Sequence, residues 1–230
     1  MADARPTAPP DPPAAYPWSA PVTTGAVGPH RLLAGDLVAP EHLTDKIPVL
    51  AVGSNAAAAV LRRKLAGLLH PPVPVCPAVV AGMAIGHSAH VSAGGYVAAA
   101  PFRDDGATSP VVLCWLDRAQ LAALDATEPN YARMTLPAAL GCRTADGHRV
   151  PGAQVYDSRH GVLAEAGSPL PLTSQTEVLA WLAARLPDAR EYGLHQVDPH
   201  ERLTEPRVRE AIRRDIGCLG LRSHSGLMPP

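Results

Sequence analysis

Aromatic residues are scarce in this sequence: Phe102 is the only phenylalanine, and Phe, Trp and Tyr together make up 4% of the 230 residues. Stacking platforms for bases or sugars are correspondingly few. Lysine is nearly missing as well, since Lys46 and Lys64 are the only two among 20 basic residues. With a net charge of −1 and no basic stripe, the chain lacks the means to neutralise a phosphate backbone, and no nucleic-acid partner is expected. The four cysteines, Cys76, Cys114, Cys142 and Cys218, stand far apart with no CxxC pair. Cys76 and Cys114 fall in apolar surroundings, so the expectation is reduced, buried thiols rather than disulfides or zinc ligands. No run of about 18 apolar residues occurs, and the N-terminus lacks the apolar stretch of a secretory signal. A soluble, cytoplasmic protein with no membrane partner is the resulting expectation.

What the chain does have is apolar bulk: 47% of it is hydrophobic and 26 residues are proline. Residues 1–28 are rich in Pro and Ala, which predicts a mobile tail, with Tyr16 and Trp18 able to dock it locally. Residues 29–168 are expected to hold one domain. Ile47–Val52 is a short apolar run that ends in Gly53-Ser54-Asn55, a strand followed by a tight turn. From Ala56 to Leu68 helical spacing sets in, with Val60, Leu61, Leu65 and Leu68 on one face, Arg62, Arg63 and Lys64 mostly on the other, and Ser54 or Asn55 as the N-cap.

Four strands are then expected, Ala78–Ile85, His87–Ser92, Tyr96–Ala100 and Pro110–Leu116, with Asp105-Gly106 marking a turn. Asp117 caps a short helix that runs through Asp125, and strands follow at Tyr131–Leu136 and Val150–Tyr156. Many short strands interspersed with short helices predict an α+β class, a small mixed β-barrel with flanking helices. Residues 169–230 form a helical extension: Thr173 or Ser174 with Glu177 has capping-box spacing, a second helix starts at Pro206 and Gly217 ends it, and residues 221–230 read as frayed.

Two segments suggest chemistry. Gly53-Ser54-Asn55 at a strand-to-helix junction permits close approach of a ligand to main-chain amides, which favour a carboxylate or a carbonyl oxygen gaining charge. Asp125 and Glu128 lie three residues apart in LDATEPNYAR, and Glu128 leaves a helix among apolar neighbours. A carboxyl partly withheld from water keeps its proton more readily, as acid/base work near neutrality requires. Taken singly, the first is also what a plain helix-capping turn looks like, and the second what a solvated loop carboxylate looks like.

Other clusters are weaker. His87 and His90 stand three apart on a predicted strand or turn with no third ligand. Asp157-Ser158-Arg159-His160 holds the residue types of a hydrolase triad, but neighbours on one strand do not converge. No metal is expected.

Taken together and in this order, Gly53, Ser54 and Asn55, then Leu124, Asp125, Glu128, Tyr131 and Arg133, resemble the gamma-glutamylcyclotransferase-like family. That family has a Tyr-Gly-Ser-Asn turn after the first strand and a Leu-Asp-x-x-Glu segment followed by Tyr-x-Arg. The likeness covers roughly Pro48 to Tyr156. Val52 stands where the family has tyrosine, Pro129 where it has glycine after the glutamate, and Tyr131 follows Glu128 by a shorter loop. The resemblance implies a gamma-glutamylcyclotransferase-like barrel and no metal or organic cofactor. Its partner would be a small γ-glutamyl compound, cleaved to 5-oxoproline and a free amine. It also implies Glu128 as general acid/base and Val52, Gly53, Ser54, Asn55 and Tyr131 as substrate-binding residues. Val52 and Pro129 keep a second reading open, a non-catalytic small-molecule binding module on the same fold. A third is another acyl or amide reaction with the C-terminal helices setting specificity.

Overall fold

A computed structural model describes residues 12–18, 24–30, 32–33 and 43–227. Its centre is one long antiparallel hairpin. Where the sequence predicts four short strands there are two continuous ones, β4 (Val73–Val91) and β5 (Val97–Leu116). The glycine punctuation bends the ladder instead of ending it. Ala81 pairs with Thr108 and Met83 with Arg103, so Asp104–Ala107 bulges out opposite the single residue Gly82. The Gly106 amide donates to Asp104 Oδ1 at 3.1 Å, which stabilises the expected Asp-Gly turn as a bulge. Gly82 has φ +80°, and a Cβ there would lie 2.6 Å from Leu140 Cδ2, so the kink needs glycine. A second irregularity sets Ser88–His90 against Ala98, between the pairs His87–Ala99 and Val91–Val97.

The rest of the sheet grows from this hairpin. β1 (Gly25–Val27) pairs with β2 (Leu32–Leu33) and with β4. β3 (Ile47–Ala51) runs antiparallel to the end of β5 and parallel to β8 (Gln154–Ser158). β6 (Tyr131–Thr135) runs antiparallel to β8, and β7 (Gly141–Thr144) antiparallel to β4. On the far side β9 (Val162–Glu165) pairs with β4, β10 (Ser168–Pro169) and β11 (Arg222–Ser223). The class is α+β, a mixed sheet curled into a half-barrel, as the sequence leads one to expect. Leu50, Val80, Met83, Leu113 and Val155 fill its inside.

Short helices cover the sheet. α1 (Ala58–Lys64) with its C-cap Leu65, and α2 (Arg118–Ala126), insert Leu61, Leu65, Leu121 and Leu124 against Val49 and Leu116. Leu68, expected on the buried face, is exposed, because the helix stops at Lys64 and the following turn buries Leu69 instead. α2 begins as read, with Asp117 and Gln120 forming a reciprocal capping box. α3 (Gln175–Ala183), α4 (His200–Leu203) and α5 (Pro206–Cys218) share a third cluster with Ala89, Val91, Val97 and Leu163. Ser174 caps α3 with Glu177, as its spacing indicated, whereas Gly217 lies inside α5 rather than after it.

The described residues near both chain ends are tied in more firmly than composition suggests; of the segments read as a tail and as frayed, residues 1–11, 19–23 and 228–230 lie outside the described residues. Tyr16 and Trp18 are buried, and Gly25–Val27 is a sheet strand within the segment read as a tail. At the other end, Arg222–Ser223 pairs with β9, and Leu227 is 2% exposed within the half-barrel core, so this stretch is not frayed. Cys76, Cys114 and Cys142 are buried and free, and Cys218 is exposed. Among the described residues no helix is long and apolar enough to cross a membrane.

The side chain of Gln120 fixes α2 to the loop after α1. It is fully buried; Nε2 donates to the carbonyls of Leu68 (2.9 Å) and Pro71 (2.8 Å), and Oε1 accepts from the Asp117 amide. Replacing it with Leu strands those carbonyls out of water. Gln120→Leu is expected to lower unfolding stability by about 2–3 kcal/mol, read as a lower urea midpoint at unchanged slope. An unchanged midpoint would show that the loop does not depend on this link.

Candidate functional site

Between the end of β3, the turn after α2 and the β4–β5 tip lies a cavity of about 740 Å³. All six residues singled out in the sequence, Val52, Gly53, Ser54, Asn55, Glu128 and Tyr131, line it.

Ser54–Ala56 forms a separate 3-10 turn ahead of α1, closed by the Ala56 amide on the Gly53 carbonyl (2.9 Å) and the Ala57 amide on that of Ser54 (3.0 Å). The N-cap of α1 is therefore Ala57, not Ser54 or Asn55. This releases the Asn55 side chain to act elsewhere.

Glu128 is placed by a β-turn. Its carbonyl accepts from the Tyr131 amide at 3.0 Å, with Pro129 and Asn130 between. Proline suits the second position of such a turn, so Pro129 serves to hold Glu128 in place between α2 and β6. The apolar surroundings expected for Glu128 are not what it meets. Oε1 accepts from Lys64 Nζ at 2.5 Å and from Asn55 Nδ2 at 2.9 Å, while Lys64 Nζ also donates to Asn55 Oδ1 at 2.9 Å. The side chains of Lys64 and Glu128 are 15% and 12% exposed, so this closed triangle is largely sheltered from solvent competition. Oε2 has no hydrogen-bond partner among the described residues.

Lys64 is the participant that sequence reading placed on a solvated helix face. Its one distinguishing signal was the rarity of lysine in a chain that otherwise uses arginine. An ammonium on a flexible stem reaches a single carboxylate oxygen as a point charge, where a planar guanidinium would favour a two-oxygen fork.

Asp125, by contrast, lies outside the cavity and acts as an anchor. Arg133 grips it with two bonds, Nε to Oδ1 at 2.8 Å and Nη2 to Oδ2 at 2.9 Å, and the Tyr156 hydroxyl adds a third at 2.8 Å. These link α2, β6 and β8, and thereby locate the Glu128 turn. The Arg133 bonds, assisted by that of Tyr156, hold the Asp125 carboxyl below the usual carboxylate range.

Aromatic rings make the remaining wall. Tyr16 stacks on Tyr96 with centroids 4.4 Å apart and meets Trp18 edge-on at 5.3 Å. Tyr131 donates its hydroxyl hydrogen to the Ala99 carbonyl at 2.9 Å. His90 also borders the cavity, and its Nδ1 pairs with Ser88 Oγ at 2.6 Å. Burial and the nearby His160 push His90 down to about 3, so its ring is neutral near pH 7.

The two motifs set aside as weak do not assemble. His87 pairs with Thr173 while His90 pairs with Ser88, and among the described residues no three His, Cys, Asp or Glu side chains are grouped to hold a metal. In the Asp157–His160 stretch, Asp157 bonds Ser225, Ser158 bonds Ser88 and His160 bonds Asn130, three divergent partners.

No protein-family model matches the chain and no curated protein matches it. Solved structures do. The chain is similar to a gamma-glutamyl cyclotransferase at 13% identity, covering 74% of this chain and 99% of that one, with a TM-score of 0.43. It is similar to a yeast gamma-glutamyl cyclotransferase specific to glutathione at 15% identity, covering 74% and 98%, with a TM-score of 0.36. An Arabidopsis thaliana protein solved in solution is 18% identical over 49% of this chain, with a TM-score of 0.38, and this chain spans 62% of its length.

Because its carboxyl is held low in the folded state, Asp125 contributes stability that is present above the unfolded aspartate value of about 3.9. That contribution is lost as pH falls through the lower folded value. Asp125→Asn is expected to cost about 1 kcal/mol at pH 7 and progressively less as pH falls below the unfolded aspartate value of about 3.9. Denaturant midpoints of both proteins at pH 7 and pH 3 check this; an equal penalty at both would assign the effect to packing.

Proposed function

We propose that the chain is a γ-glutamyl cyclotransferase-like enzyme that cleaves a γ-glutamyl amide into 5-oxoproline and a free amine. One observation carries the reading: Glu128, held by Asn55 and Lys64, shares one cavity with the Gly53–Asn55 turn. A single carboxylate suffices because the attacking nitrogen belongs to the substrate itself, and well-oriented intramolecular attack gains about 7–11 kcal/mol from proximity.

In this reading Oε2 takes a proton from the substrate α-ammonium. The freed amine attacks the γ-carbonyl carbon, forming the ring C–N bond and placing negative charge on the carbonyl oxygen. The tetrahedral centre collapses, the bond to the leaving amine breaks as Glu128 returns its proton to the departing nitrogen, and the second proton still on the ring nitrogen passes through the regenerated carboxylate to that amine, which leaves as an ammonium. No water or redox partner enters the balance. Asn55 and Lys64 keep Oε1 stationary, so proton transfer runs through one defined oxygen. The main chain of Gly53–Asn55, whose amides are not spent inside the 3-10 turn, supports the glutamyl group and the developing oxyanion. The rings of Tyr96 and Tyr131 bound the same hollow.

A panel of γ-glutamyl amino acids and amines, assayed for 5-oxoproline and released amine, tests the proposal. Glu128→Gln keeps the shape but cannot take up the proton, and its turnover is expected to fall by about 10²–10⁴-fold. Full turnover in that variant removes the mechanism. Saturable calorimetric binding without any product would instead identify a binding module.

A further inference from the structure

The segment Pro12–Trp18 is a small closed hook. The Pro12 carbonyl accepts from the Ala15 amide (2.9 Å) and from Trp18 Nε1 (3.0 Å), and the Tyr16 amide donates to Pro13 (3.1 Å). The hook packs Tyr16 and Trp18 on Ala57, Val60, Ala98 and Ala99. Tyr16 is 4% exposed, yet it borders the cavity that holds Glu128.

Its hydroxyl reaches the Gly53–Asn55 turn. A Cβ built on Gly53 would lie 2.4 Å from that oxygen, so the glycine is required by the tyrosine's approach. The Ala99 amide donates to the hydroxyl oxygen at 2.8 Å. A phenol oxygen that accepts an amide hydrogen still has one hydrogen of its own to give. Among the described residues no acceptor takes it. A buried donor with no acceptor calls for a ligand atom, and the Ala99 amide aimed at its oxygen polarises it toward giving that hydrogen. Burial raises the Tyr16 pKa, so the hydrogen is present throughout the neutral range.

We propose that Tyr16, delivered by the N-terminal hook, is a ligand-binding residue of the cavity whose hydroxyl donates to a carbonyl or carboxylate oxygen of the bound molecule. The hydroxyl then adds a donor directly beside the Gly53–Ser54 turn. In its cyclotransferase form, where the acceptor is an oxygen of the glutamyl group, the inference rests on the function proposed above. The donor itself requires only a ligand oxygen.

The experiment uses the full chain, glutarate and γ-glutamyl-alanine as probes, and the variant Tyr16→Phe, which keeps the ring and removes the hydroxyl. Glutarate titrated into isotopically labelled wild type is expected to shift the Ser54 and Ala99 amide resonances saturably. Tyr16→Phe is expected to bind glutarate about ten- to hundredfold more weakly. With γ-glutamyl-alanine, its kcat/KM is expected to fall by a similar factor. Chymotryptic cleavage after Trp18 reports whether the hook stays docked in the variant. If it undocks, the wild-type amide shifts decide the matter without it. Binding of either probe with silent amides, or with equal affinity in a docked Tyr16→Phe, overturns the proposal and leaves the cyclotransferase reading standing. Glutarate bound through Tyr16 while γ-glutamyl-alanine stays intact removes that reading and leaves this one. Absence of binding by both probes removes both.

Discussion

The β4–β5 hairpin is longer than the strands beside it, and the consequence organises the site. β3 pairs with β5 only at Val112–Leu116, so among the described residues the same edge of β5 has no strand neighbour near its start. Buried main-chain groups there still need partners. Side chains supply them: Gln175 caps both the N–H (2.8 Å) and the carbonyl (2.9 Å) of Val97. Two residues on, Tyr16 accepts from the Ala99 amide and Tyr131 donates to its carbonyl. Each of the three arrives from a different part of the chain. Gln175 brings α3, Tyr16 brings the N-terminal hook, and Tyr131 brings the turn that carries Glu128. An unpaired strand edge is thereby covered, which removes an aggregation liability and builds the wall of the cavity in the same step.

The opposite wall depends on one carboxylate oxygen. Asn55 and Glu128 are 73 residues apart, and Oε1 joins the turn after β3 to the turn after α2, with Lys64 closing the triangle. An ammonium at this position does two things. It compensates the burial of the carboxylate, and with Asn55 it fixes which oxygen is engaged and which stays open. Asp125 carries the matching structural load just outside, tying the helix to β6 and β8 through Arg133 and Tyr156. The two acids three residues apart thus differ in surroundings, because one faces a guanidinium fork at the sheet edge and the other faces the hollow.

Much of this was legible before any coordinates. The turn at Gly53–Asn55, the capped helix ending near Asp125 and the strand at Tyr131 follow from local rules, in which a glycine, a capping aspartate or an alternation acts over a few residues. The same rules misplaced the strand breaks at Gly86 and at Asp105-Gly106, since whether a glycine ends a strand, bulges it or stays paired within it depends on the partner across the ladder. They also left Lys64 on a solvated face and Arg222–Leu227 as a loose end, because a lysine stem and a short apolar tail show no period from which a partner could be read.

The sequence by itself determined the class of fold, the two chemically suggestive turns and their order, because each is encoded by contacts between near neighbours. Only the tertiary structure decided which oxygen of Glu128 is held, that Lys64 holds it, and that Tyr16 stands over Gly53. Those pairings join residues far apart along the chain, and their distances are set by the curl of the sheet and the length of its central hairpin, not by any local pattern.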